Sequence, residues 1–182
     1  MPLSKIPKGS IKLKTVIVLA AGVGSRLQPL TLKVPKSLIA VNGKPMLTRL
    51  LTQIKKAEVE AKIIIVAGYL SNQVVDLVSD INPEIKVIIN SDFAVTNNME
   101  SCRMALKYWR GGSCVIVNGD CVYDDEIVRD IMLSKVSCVA TDSSKFYEES
   151  MKVRVKNNIV TEINKTMPNT NYVYTSIDLY HF

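Results

Sequence analysis

The sequence predicts a single α/β domain in which a mainly parallel sheet is flanked by helices and continued at its C-terminal end by antiparallel strands. Three observations predict it. Apolar runs and amphipathic stretches alternate through the first two thirds of the 182 residues, the rhythm of strand–helix–strand units. Ile63-Ile64-Ile65-Val66-Ala67 is apolar at every position, as a strand covered on both faces must be. From Met151 the pattern switches to Met151-Lys152-Val153-Arg154-Val155, the alternation of a strand with one face in water.

Taken in order, residues 1–14 form a basic arm carrying Lys5, Lys8, Lys12 and Lys14. Its Pro2, Pro7 and Gly9, and its lack of an apolar stretch, argue for a solvated tail over a signal peptide or a nucleic-acid contact. The domain occupies 15–182. Val16–Leu19 reads as a buried strand that breaks into a loop of small residues, and a helix follows over Leu47–Ala57. Gly68 ends the second strand, Asn72–Val78 reads as a helix, Ile85–Ile89 as a strand and Met99–Trp109 as a helix. Cys114–Val117 is the fourth strand. Asp124, Asp125 and Glu126 open the next helix, to Met132, because carboxylates favour the positive end of the helix dipole. Val136–Thr141 and Tyr172–Phe182 read as strands, and Asn157-Asn158 turns a hairpin between Met151–Val155 and Ile159–Ile163.

Composition narrows the function classes. At 47% hydrophobic the chain can bury a core. The net charge of +6 is spread along the sequence, a balance suited to phosphorylated substrates. No apolar run is long enough to cross a membrane, so membrane insertion is not expected. Cys102, Cys114, Cys121 and Cys138 form no C-x-x-C pair and His181 is the single histidine, which argues against a zinc cluster and for reduced thiols in the cytoplasm.

The chemistry is concentrated in Leu19-Ala20-Ala21-Gly22-Val23-Gly24-Ser25-Arg26-Leu27, followed by Val34-Pro35-Lys36-Ser37-Leu38. Gly22 and Gly24 permit a tight loop whose amide N–H groups can converge on phosphate oxygens. Arg26 adds a planar fork of donors and Lys36 a mobile point charge. The dinucleotide fingerprint would need a third glycine where Leu27 stands, and the P-loop ending G-K-[S/T] is absent. Ligands of open parallel sheets bind beyond the strand C-terminal ends, where this loop falls. Asn118-Gly119-Asp120 follows the fourth strand on the same edge. A carboxylate there can hold Mg²⁺, which keeps waters and bridges nucleotide phosphates. Cys121, next in the chain, suits either a place near the site or buried packing.

These residues resemble the nucleotidyltransferase signature L-A-A-G-x-G-[S/T]-R-L…P-K-x-L, and Gly43-Lys44-Pro45-Met46-Leu47 continues the likeness. The resemblance implies a Rossmann-like fold of the nucleotide-diphospho-sugar transferase type. Asn90-Ser91-Asp92-Phe93 with Thr96-Asn97-Asn98-Met99-Glu100-Ser101, together with Gly68-Tyr69-Leu70, is similar to the phosphocholine cytidylyltransferase branch. Asn97 and Asn98 suit the mixed donor–acceptor edge of cytosine and are equally good helix caps. Asp142…Glu148-Glu149-Ser150-Met151-Lys152-Val153 resembles a further segment of that branch. Lys165 stands where related enzymes carry a lysine contacting the acceptor phosphate. Glu149 could meet a cationic amine on the acceptor or pair with Lys152.

What the resemblance implies is a Mg²⁺-dependent enzyme transferring CMP from CTP to a small phosphorylated acceptor, phosphocholine-like or another phospho-amino-alcohol or phosphonate, for decoration of cell-surface polymers. Arg26, Lys36 and Asp120 would be catalytic, Asp120 also holding the metal. Leu19, Ala20, Ala21, Gly22, Gly24, Ser25, Gly68, Asn97, Asn98 and Ser101 would bind the nucleotide, and Glu149 and Lys165 the acceptor. A sugar-1-phosphate nucleotidyltransferase using UTP, dTTP or GTP is the alternative within enzymes. Family members continue past the position of Phe182 to a second metal-binding aspartate. A non-catalytic nucleotide-binding module, turning over slowly or not at all, is therefore the alternative from outside the enzymes, and a site completed across a homo-oligomer is a further expectation.

Overall fold

Strand β1 (Thr15–Ala20) is buried at all six positions, and the architecture follows from that. Side chains alternate across a strand, so Val16, Val18 and Ala20 enter one core while Ile17 and Leu19 enter another on the opposite face. A computed structural model describes residues 13–170 and 172–182. The basic arm therefore lies, as far as residue 12, outside the described residues.

After β1 come three short 3₁₀ turns, a small hairpin of β2 (Ala40–Val41) and β3 (Lys44–Pro45), and helix α1 (Met46–Ala57). There follow β4 (Lys62–Ala67), α2 (Ser71–Ile81), β5 (Lys86–Ile89), α3 (Asn98–Leu106), β6 (Cys114–Asn118) and α4 (Asp125–Leu133). The remainder is β: β7 (Cys138–Asp142), β8 (Lys152–Lys156), β9 (Ile159–Asn164) and β10 (Val173–His181). The main sheet has eight strands, in the order β5-β4-β1-β6-β10-β8-β9, with β7 also paired to β10. Strands β1, β4, β5 and β6 are mutually parallel, and β10 runs antiparallel to β6, β7 and β8.

Helices cover both faces, as expected of a parallel sheet. Leu47, Leu50 and Ile54 of α1, Val74 and Val78 of α2, and Val128, Ile131 and Met132 of α4 pack with Val16 and Val18. On the other face Cys102 and Ala105 of α3 pack with Ile17, Leu19, Ile64 and Val66. Each fully buried aliphatic side chain contributes about 1.5–3 kcal/mol of transfer free energy.

The predicted elements are all present, with shifted ends. The third helix stops at Leu106 rather than Trp109, ahead of Gly111 and Gly112, both at positive φ. The second extends to Ile81. The β2–β3 hairpin was not predicted; its turn places Asn42 and Gly43 at φ of 50° and 73°. The turn read at Asn157-Asn158 is confirmed, both residues being left-handed at 51° and 60°. The C-terminal addition is real but thinly covered, and β9 is exposed at all six positions.

Candidate active site

The C-terminal ends of β1 and β6 lie side by side, Leu19 being paired with Asn118. Segments that follow both ends meet at one cleft. A small cleft of about 60 Å³ is lined by Leu19, Ala20, Ala21 and Gly22 from the glycine loop, by Lys36 and Ser37, and by Asn98, Asn118 and Asp120. Gly24 sits at φ 68°, and a Cβ there would lie 2.9 Å from that of Lys36. A bare backbone at Gly24 is what lets the Lys36 segment close over the loop, and Thr31 Oγ1 fastens the two by donating to the Gly24 carbonyl at 2.9 Å. Gly22 has open space on its Cβ side, room that an anion beside the loop can occupy.

Charge in the cleft is paired. Lys36 Nζ lies 2.6 Å from Asp120 Oδ2, each side chain 29% exposed. Buried alone, either charge would be costly; paired and half-solvated, both persist. The Ser37 hydroxyl is buried without a hydrogen-bond partner among the described residues. Buried polar groups are rarely left so, and Ser37 lines the cleft next to Lys36. Burial, with the Asp120 charge beside it, pushes the Cys121 thiol up to about 11. Burial also raises the Tyr123 phenol, whose hydroxyl donates to the carbonyls of Ile177 and Asp178 at 3.1 and 3.3 Å. The loop after Asp120 is thereby tied to β10.

A larger pocket of about 580 Å³ opens on the other side of Asn118. Asn97, Asn98 and Met99 form one wall, Met151, Ile163 and Lys165 another, and Asp178, Tyr180 and Phe182 the base. Asn118 Nδ2 donates to Asp178 Oδ2 at 3.0 Å and Asn98 Nδ2 to Asn118 Oδ1 at 3.4 Å, so an amide chain links the two cavities.

The residues singled out in the sequence fall into three groups. Leu19, Ala20, Ala21, Gly22, Lys36, Asn98 and Asp120 line the cleft, and Asn97, Asn98 and Lys165 line the larger pocket. Gly68 acts at one remove: a Cβ there would lie 2.6 Å from the Ala21 carbonyl oxygen, so its role is to let β4 pack against the glycine loop. Ser25 and Arg26 form an exposed 3₁₀ turn outside both cavities.

One reading is corrected and two are narrowed. Ser101 is 2% exposed and accepts from Asn90 Nδ2 at 3.1 Å, which makes it an anchor for the loop before α3 instead of a ligand contact. Asn97 is the cap of α3, its Oδ1 accepting from Met99 N at 3.0 Å. Only its amide NH₂ is left to face the pocket. Glu149 does not pair with Lys152; it forms an ion pair with Arg26, both side chains well exposed. Lys152 is instead buried, its ammonium donating to the Glu148 carbonyl and lying 5.0 Å from the Phe146 ring centroid. The alternation that put a basic residue at 152 carries no information about the loop folded over it.

Sequence reasoning missed Ser37 and gave Asp178 no role. The signal for Ser37 was its place beside Lys36; for Asp178 there was none, because its exposure to the pocket depends on a bulge in β10.

Mg²⁺ fits this donor set. The cleft offers one hard carboxylate beside a loop shaped for phosphates, and the described residues contain no group of three or more His, Cys, Asp or Glu able to hold a metal. One such carboxylate could hold a hard cation together with substrate oxygens.

The profile of the nucleotidyl transferase family matches residues 15–142, the whole of the parallel half and its cleft. The chain belongs to that family. Over 120 residues it is 38% identical to a 2-aminoethylphosphonate cytidylyltransferase from Lancefieldella rimae, a match covering 65% of this chain and 48% of that protein. Over 121 residues it is 33% identical to a choline-phosphate cytidylyltransferase from Haemophilus influenzae, covering 66% and 48%. The chain thus spans about half the length of these relatives. A solved structure of the CTP:phosphocholine cytidylyltransferase from Streptococcus pneumoniae superposes with a TM-score of 0.73 at 22% identity, over 93% of this chain and 71% of that one. That likeness establishes the fold of a nucleotidyltransferase, C-terminal strands included. No helix among the described residues is long and apolar enough to cross a membrane.

Proposed function

We propose that this chain is a cytidylyltransferase core, which binds Mg²⁺ and CTP and transfers CMP to a small phosphate or phosphonate acceptor with release of pyrophosphate. The observation that carries the reading is the convergence of Gly22, Lys36 and Asp120 on one cleft at the ends of β1 and β6. The activities of these two relatives support cytidine over other nucleosides and an amino-alkyl acceptor over a sugar.

An acceptor phosphate or phosphonate oxygen is already anionic and needs no general base. It attacks the α-phosphorus of CTP in line; the new O–P bond forms as the bond to the bridging oxygen of pyrophosphate breaks. Catalysis is then positioning and charge neutralisation. The amides about Gly22 hold the phosphates, and Lys36 exchanges Asp120 for the reacting phosphoryl group. Arg26 leaves Glu149 to meet the departing pyrophosphate. Asp120 would hold the metal, which supplies Lewis-acid stabilisation and a template for the phosphate oxygens. Asn98 and the free amide of Asn97 face the base, and Lys165 orients the acceptor. We place the reaction in the cytoplasm, where its thiols stay reduced.

The test is turnover followed by ³¹P NMR, with CTP, Mg²⁺ and 2-aminoethylphosphonate or phosphocholine. The expected result is a CMP-linked product and one pyrophosphate for each. Product only from UTP, dTTP or GTP with a sugar 1-phosphate would assign the other enzyme class, and nucleotide binding without any transfer would leave a binding module.

A further inference from the structure

Asp178 is built in at a cost. It is the non-glycine residue at φ 59° in β10, where the left-handed conformation disfavours most L side chains by about 1–2 kcal/mol. The register of β10 against β7 shifts between Ser176 and Tyr180, and Ser176 Oγ accepts from the Asp178 amide at 3.1 Å. Asp178 lines the larger pocket together with Tyr180 and Phe182, whose rings stack with centroids 6.4 Å apart, and also lines a neighbouring opening beside Tyr123 and Ser176. Burial raises the pKa of this carboxyl. Its two oxygens accept single hydrogen bonds from Asn118 and Tyr180, and among the described residues it makes no ion pair. Lys36 and Asp120 neutralise each other nearby. Lys165, in the same pocket, acts on Asp178 through space as a lesser influence and forms no ion pair with it.

A pocket that holds one fixed cation and one fixed anion apart, between apolar walls, is complementary to a short zwitterion. A half-buried carboxylate with no ion-pair partner in contact gains from a ligand that brings a cation to it, and aromatic faces add attraction for an ammonium group. We infer that Asp178 is the specificity residue for the acceptor, holding the ammonium group of a zwitterionic amino-alkyl phosphate or phosphonate whose anionic end faces Lys165. The inference rests on the proposed function and places an amine contact on Asp178, which lines the larger pocket with Lys165, whereas Glu149 lines neither that pocket nor the cleft.

The test is calorimetric binding on the intact chain, with 2-aminoethylphosphonate and its amine-free counterpart ethylphosphonate as probes, each with and without Mg-CTP. The wild type is expected to prefer the amino probe by at least about tenfold, in the range of a desolvated charge pair. Asp178→Asn, which tolerates the left-handed backbone, is expected to bring the two probes within about twofold while CTP affinity stays within about twofold. Asp178→Gly relieves the backbone strain and should behave as Asp178→Asn does, so a folding defect in one variant leaves the other to decide. An equal preference for the amine in the variants, or no preference in the wild type, overturns the assignment even where CTP binds normally. Failure of the wild type to bind CTP would instead overturn the nucleotide reading beneath it.

Discussion

Two halves of one sheet are built on opposite terms. In the parallel half, β1 is buried at every position and its neighbours β4 and β6 nearly so. In the antiparallel half, β9 is exposed throughout and β8 buries only Lys152 and Val153. The phosphate-handling groups all leave the first half at strand ends, where a dense core fixes the backbone. Of the residues that line the larger pocket from the second half, Met151, Ile163 and Lys165 stand on or beside the thinly covered β8–β9 hairpin, and Asp178 on β10, which is buried at five of nine positions. Chemistry on phosphates needs fixed charge, since a displacement of about 1 Å can cost about a hundredfold in rate. Choice of a small acceptor rests on few contacts, and such a surface can change without unmaking the cleft.

Substitutions that cross between the halves can break this contrast. The largest effect is expected from Asp120→Asn, which keeps the shape but removes the charge a hard cation requires. Turnover with Mg²⁺ should fall by about 10²–10³-fold or more, with circular dichroism unchanged; a near-normal rate would reduce Asp120 to a turn residue. Next, the matched pair Ile64→Ala and Ile163→Ala compares the cores directly. Ile64, fully buried, should lose about 2–5 kcal/mol in urea unfolding, and Ile163, 44% exposed, under about 0.5 kcal/mol. Similar losses would erase the distinction.

Gly24→Ala sharpens the first half alone. The added methyl must displace the base of the Lys36 side chain, and a tenfold or greater fall in kcat with a smaller change in nucleotide affinity is expected. A smaller effect concerns Cys121, at the seam. A thiol pushed up to about 11 is almost wholly protonated at pH 8, and its thiolate grows only as the pH rises toward that value. Native-state alkylation followed by mass spectrometry should therefore label Cys121 slowly at pH 8 and faster with each rise in pH. Rapid labelling at pH 7 would show that the seam is open to water.

The contrast also explains what the sequence could and could not disclose. A continuous apolar strand has one reading, so Ile63–Ala67 and Val16–Leu19 announced the parallel half and the position of the glycine loop. Lys36 and Asp120 were legible because a long motif and a strand end each fixed them to the same edge. Asn97 was ambiguous in kind, since one amide can cap a helix and face a ligand, and the structure shows its oxygen committed to the cap. Of the two partners open to Glu149, the pairing with Lys152 is not made, because Arg26 from the glycine loop takes Glu149 and the Lys152 ammonium turns to the Glu148 carbonyl. Asp178 was invisible as a site residue. A bulge and a left-handed residue aim it, and neither leaves a period in the sequence.

The most direct measurement is calorimetric titration of the chain with CTP, UTP, GTP and dTTP in the presence of Mg²⁺. A cleft formed by the glycine loop, Lys36 and Asp120, with amides from α3 facing the base, predicts that CTP binds about tenfold or more tightly than the other three, because a site that hydrogen-bonds one base leaves polar groups unpaired with another. Equal affinities would remove the cytosine assignment, and no binding of any nucleoside triphosphate would contradict the account at its root.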